Sequence, residues 1–148
     1  MDCCCSGPEQ LLLCLETYCK LAYGEIVDIV LWIGRILYSG LLILMGLNHF
    51  MQLENLTQYA AAKNVPAPQI AVLGSGVLLI VGAALLFVPS LAFIGGILTA
   101  IFLVATGVMI HNFWAVEDAN MKTVDMTQFF KNLALAGAAL ALGVLLAA

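Results

Sequence analysis

Four uninterrupted apolar stretches set the limits on what this chain can fold into: Ile26–Phe50, Ile70–Val88, Leu91–Ile110 and Phe129–Ala147. Each approaches the roughly 20 residues that a membrane-spanning helix needs. Lipid offers no hydrogen-bond partners, so the backbone groups of such a segment must be satisfied within it, which selects helices. Composition agrees. The chain is 64% hydrophobic and 9% charged, with a mean hydropathy of +1.08, whereas soluble chains carry roughly 25% charge. The expected fold is therefore all-α, a four-helix transmembrane bundle in a multi-pass integral membrane protein whose first partner is the lipid bilayer. The 148 residues leave room for one membrane domain. A net charge of −4 and only five Lys and Arg residues exclude a nucleic-acid footprint.

Pro89-Ser90 separates the second and third stretches, a break that allows only a tight antiparallel hairpin. An even number of spans places both termini on one side. Lys63, Lys122 and Lys131 on the loop side outnumber Lys20 and the amino terminus on the other, which favours loops facing the cytoplasm or a matrix.

Residues 1–24 form an extension preceding the membrane domain of residues 25–148. Asp2 and Glu9 make its start acidic, and no small-residue cleavage site follows, unlike a secretory signal. Gln10–Tyr23 carries Leu11, Leu12, Leu15, Tyr18 and Leu21 around Glu16 and Lys20, which predicts a short helix lying in the membrane interface. Cysteines occur only at 3, 4, 5, 14 and 19, without CxxC spacing or a nearby histidine, so neither a metal nor a redox motif is read there. Cys3, Cys4 and Cys5 beside a membrane are candidates for S-acylation; the alternative is a set of reduced thiols. In the first loop, Leu53, Leu56, Tyr59 and Ala60 recur at helical spacing before Pro66 and Pro68, predicting a short interfacial helix over 53–63.

The polar residues are few and gathered. Arg35 falls near the middle of the first span, where a charge costs at least a few kcal/mol and persists only against a bundle interior, a cavity or a partner. Either pairing with Asp28 two turns away or an anionic or quinone-type ligand accounts for it. His49 ends the first span and His111 the third, and helix direction alternates, so both reach one membrane surface. The start of the fourth helix, with Gln128, Lys131 and Asn132, reaches it too. At 100° per residue Asp28, Leu31, Arg35, Ser39, Leu42, Gly46 and His49 share a stripe. So do Gly96, Ala100, Gly107 and His111, and likewise Gln128, Asn132, Ala136, Ala139 and Gly143. Small faces let membrane helices approach closely. Their convergence predicts a polar pocket at one end, although small stripes are also ordinary helix contacts. An interfacial histidine commonly bonds a carbonyl or headgroup. No third-ligand spacing such as HxxxH or ExxH accompanies the pair, so metal or haem ligation is not expected.

The connecting segments carry a likeness. Gly34-Arg35, the GLNHF of Gly46–Phe50, the QYAAAKNVPAP of Gln58–Pro68, the HNFW of His111–Trp114 and the QFFKNLALAGAAL of Gln128–Leu140 follow in order. Together they resemble the DoxX family of small four-helix membrane proteins, over about Ile26 to Leu146. That family takes its name from a membrane subunit associated with terminal quinol oxidation. The resemblance implies a bundle with quinone or redox association, and its matching positions are Arg35, His49, His111, Lys131 and Asn132.

A quinone slot needs an apolar channel and one or two donors to the ring oxygens. His49, His111 or Lys131 would donate, and Phe113 or Trp114 would stack. No residue set here transfers electrons alone, so redox chemistry requires a bound cofactor or partner subunit. Three functions follow: an auxiliary subunit of a membrane redox assembly touching quinone, a structural subunit between larger membrane proteins, or a quinone-linked oxidoreductase in its own right. One buried charge and no charged rings make a poor solute channel.

Overall fold

The computed structural model describes the backbone of residues 8–147 and the side chains of residues 23–147. Five α-helices are described: α1 Pro8–Met51, α2 Leu53–Ala62, α3 Pro68–Leu85, α4 Pro89–Met109 and α5 Ala119–Ala147, with a 3₁₀ turn at Phe113–Ala115. Four of them, α1, α3, α4 and α5, hold segments long and apolar enough to cross a membrane. The protein is an all-α, four-helix, multi-pass integral membrane protein. Contacts divide the chain into two units, Met1–Ile36 and Leu37–Ala148.

In the first unit, the helix expected over Gln10–Tyr23 is present but is not a separate element. It is the beginning of α1, which runs 44 residues without a break. Gly24 alone, with no proline beside it, does not stop a helix. Arg35 is 7% exposed, and its guanidinium lies 4.4 Å from the centre of the Trp32 ring, one turn earlier. Such a stack contributes about 0.5–2 kcal/mol depending on desolvation. Asp28 is exposed and forms no ion pair with Arg35, so the pairing across two turns is not made. The acylation candidates Cys3, Cys4 and Cys5 lie outside the described residues.

In the second unit, the end of α1 packs with α3, α4 and α5 around Leu42, Leu79, Ala83, Ala100, Leu103, Ala136 and Ala139. Glycines set the spacing of these helices. A Cβ on Gly46 would lie 2.7 Å from Ile80 of α3, and one on Gly96 would lie 2.6 Å from the Ala139 carbonyl of α5. Small residues at these crossings replace the hydrophobic drive that lipid removes with close van der Waals contact. The Tyr38 hydroxyl donates to the Leu135 carbonyl at 2.7 Å, tying α1 to α5.

Pro68 and Pro89 occupy the first turns of α3 and α4, where the missing N–H costs nothing. The chain turns from α3 to α4 over Leu86–Val88, the hairpin read from Pro89-Ser90. The first-loop helix is found at Leu53–Ala62. It ends in a Schellman-type cap, with Val65 N–H donating to the Ala60 carbonyl and Asn64 in the left-handed region at φ 58°. The last helix starts ten residues before the expected Phe129. Asp118 explains the difference: its carboxylate accepts the Met121 N–H at 2.8 Å, an N-cap that opens α5 at Ala119. Most of the segment expected as a loop is therefore helical.

Candidate functional site

The converging ends of α1, α4 and α5 line, together with α2 and the start of α3, an open-sided cavity of about 660 Å³. This size falls within the range of small-molecule sites. Its body is apolar, built from Leu41, Leu44, Met45, Leu79, Phe102 and Leu103. Its polar groups come from Asn48, His49, Ser75, Thr106, His111, Gln128, Lys131 and Asn132. Of the residues singled out in the sequence, His49, His111, Lys131 and Asn132 thus line one space. The alternation of helix direction put their depths together, and the glycine crossings brought their helices together.

Arg35 and Trp114 are not in this lining. Arg35 belongs to the first unit. Trp114 packs edge-on against Phe113 and Phe129 in an aromatic cluster that also includes Phe130. The expected stacking partners, Phe113 and Trp114, are engaged with each other and with α5; the cavity's own aromatic groups are Phe102 and Tyr59.

Local hydrogen bonds engage one nitrogen of each histidine. His49 Nδ1 is 2.8 Å from the Met45 carbonyl. A carbonyl oxygen only accepts, so Nδ1 carries a proton and donates to it. His111 Nδ1 lies 3.2 Å from Asp125 Oδ1 and donates to that carboxylate. Nδ1 of each ring is thus engaged with the protein, and Nε2 is the nitrogen each histidine leaves for the cavity. Lys131, which is exposed, and Asn132 add donors to the lining. Asn132 is 6% exposed and hydrogen-bonds to no described residue, so its amide is left for whatever enters the cavity.

The most buried charge in this unit is one that sequence reasoning passed over. Asp125, 2% exposed, receives Lys63 Nζ at 2.6 Å on Oδ2 and His111 on Oδ1. Lys63 Nζ also donates to Asn112 Oδ1 at 3.3 Å. A carboxylate withdrawn from water to this degree needs such partners on both oxygens, because an unpaired buried charge costs several kcal/mol. The signal was available: Asp125 precedes Gln128 by three and Asn132 by seven, extending the α5 inner stripe one turn. Reading residues 112–128 as a loop hid it. Among the described residues, no group of three His, Cys, Asp or Glu side chains is placed to hold a metal ion.

An apolar four-helix bundle with a polar-ended cavity at one membrane surface defines a class of small multi-pass membrane proteins. The DoxX family model matches residues 30–112, more than half of the sequence, and the chain belongs to the DoxX family. No curated protein matches the chain, and neither does any solved structure.

Proposed function

We infer that the protein is an auxiliary subunit of a membrane redox assembly that holds a quinone-type ligand in the cavity at the end of the bundle. The observation that carries this reading is Asn132, a nearly buried amide with no hydrogen-bond partner among the described residues, at the polar end of a mainly apolar space of about 660 Å³. Burying an amide without a partner costs about 1–3 kcal/mol in proteins, a cost that a ligand carbonyl or hydroxyl removes. An isoprenoid quinone has the matching form: an apolar tail for the leucine-rich body and two ring oxygens for the polar end. Asn132 and Lys131 donate to a carbonyl of the oxidised ring. The Nε2 atoms of His49 and His111 accept from a hydroxyl of the reduced ring. Electrons come from a partner subunit, since the bundle's role in this reading is to bind and orient.

The test is organic extraction of protein purified in mild detergent, with quantification of the extracted quinone. The expected result is near-stoichiometric quinone from the native chain and its loss from Thr106→Trp, which fills the cavity. Quinone below the level carried by bulk lipid, with a large membrane complex copurifying at fixed stoichiometry, would replace this reading with that of a structural subunit.

A further inference from the structure

We propose that the cavity is a slot open sideways to the bilayer. It takes an amphiphile from the adjoining leaflet, with the polar head towards the membrane surface and the chain trailing back into lipid. That the amphiphile is a quinone rests on the function proposed above; the lateral opening does not.

The opening is apolar and lies within the membrane. Four residues of the cavity lining are also well exposed: Leu41 at 61%, Leu44 at 63% and Met45 at 45% on α1, and Met109 at 44% on α4. All four belong to the segments Tyr23–Met51 and Pro89–Ala115, which are long and apolar enough to span a bilayer. In water, such side chains forgo about 1.5–3 kcal/mol each relative to burial; acyl chains remove that cost. Leu41, Leu44, Met45 and Asn48 recur at helical spacing on one face of α1, so the mouth runs along the helix axis. From Leu41 to His49 the rise is roughly 12 Å. Half the hydrocarbon core measures about 15 Å, so the mouth is open over most of one leaflet.

The lining is graded along the same axis. On α1, Leu41, Leu44 and Met45 give way to Asn48 and His49; on α4, Phe102 and Leu103 give way to Thr106 and His111. From α5, which runs the other way, Gln128, Lys131 and Asn132 come in at the polar end. Apolar towards the midplane and polar towards the surface is the profile of a single leaflet. An amphiphile resident in that leaflet already has its head and chain at the matching depths. It enters by moving sideways, and its head never crosses hydrocarbon, where each unsatisfied polar group costs several kcal/mol. Lys131 is exposed near the head's level, on a stem long enough for the ammonium to follow it. Size decides where the chain goes. A space of about 660 Å³ holds a ligand of drug size, a ring with the first part of a chain. The rest of a long isoprenoid chain leaves past Leu41 and Leu44 into the bilayer, so the slot does not select for chain length.

Spin-label accessibility on the full chain in nanodiscs tests the opening without any ligand. Cys3, Cys4, Cys5, Cys14 and Cys19 are replaced by serine, and nitroxides are placed singly at Met45→Cys and Ala105→Cys, two exposed positions of the lining. Two sites guard against the loss of one variant. Collision with lipid-soluble oxygen should exceed collision with a water-soluble nickel chelate by about fivefold or more, because the hydrocarbon core holds no water. Nickel collision equal to or above oxygen collision, which marks a water-filled vestibule, would overturn the proposal. So would low collision with both, which marks a sealed site. A second arm adds decylubiquinone or long-chain ubiquinone to the same discs. Both should lower oxygen collision at the labels saturably, with midpoints per lipid within about threefold of each other. Binding of the short-chain quinone alone keeps the quinone reading and overturns the slot. Oxygen-dominated collision that neither quinone changes keeps the slot and removes the quinone reading.

Discussion

Removing the two partners of the Lys63–Asp125 pair should have unequal costs. Lys63→Met leaves a carboxylate that is 2% exposed with His111 as its remaining partner among the described residues. Breaking a buried pair in this way costs about 3–5 kcal/mol. Asp125→Leu leaves an ammonium on a four-carbon stem that is already 16% exposed, and such a side chain reaches water by extension. Its cost should be smaller, about 1–2 kcal/mol, the scale of a lost charged hydrogen bond. The double variant has no stranded charge and should be no less stable than Lys63→Met alone, giving a coupling energy of at least about 1–2 kcal/mol. Reversible unfolding in mixed micelles, with all four proteins in one detergent ratio, measures this cycle. If both single variants cost less than about 0.5 kcal/mol, the pair behaves as an exposed surface bridge. The burial argument for Asp125 would then be wrong.

The strain at Ala67, with φ 46°, predicts that Ala67→Gly is neutral or stabilises by up to about 1 kcal/mol in the same unfolding assay, whereas glycine inside a helix ordinarily costs about that much. Gly96→Leu should prevent α4 from meeting α5, since even a Cβ there falls 2.6 Å from the Ala139 carbonyl, while Gly137→Ala, with nothing within 4 Å, should be tolerated; thermal stability in detergent separates the two. Asn132→Leu should keep the fold and reduce retained quinone about tenfold, the equivalent of roughly one hydrogen bond to a buried group, read by extraction after identical purification.

Much of the fold was legible because lipid enforces simple rules. Four apolar runs gave four spanning helices, and the stripes through Leu42–Gly46, Gly96–Gly107 and Asn132–Gly143 mark faces that are buried in the bundle. The polar end was legible from helix alternation alone, which placed His49, His111, Lys131 and Asn132 at one depth. What was missed lies where the sequence is polar. Asp118 is an ordinary capping residue, but amid EDANMKT it resembled loop composition, and so the first turns of α5 were not read as helix. With them went Asp125. Its partner Lys63 comes from the far end of another helix, and no local pattern announces a pair separated by 62 positions. Trp114 and Phe113 were near the cavity in sequence and depth. Which side of a helix end an aromatic cluster packs on is decided by tertiary contacts with Phe129 and Phe130.

The most direct measurement of the central claim is photolabelling of the full chain in nanodiscs with an azidoquinone, followed by peptide mapping. The account predicts label concentrated on the cavity walls at Leu41–Ala60 and Leu103–Asn132, displaced by excess unlabelled quinone and lost in Thr106→Trp. Label spread over the lipid-exposed faces of all four spans, indifferent to competitor and to that substitution, would contradict it.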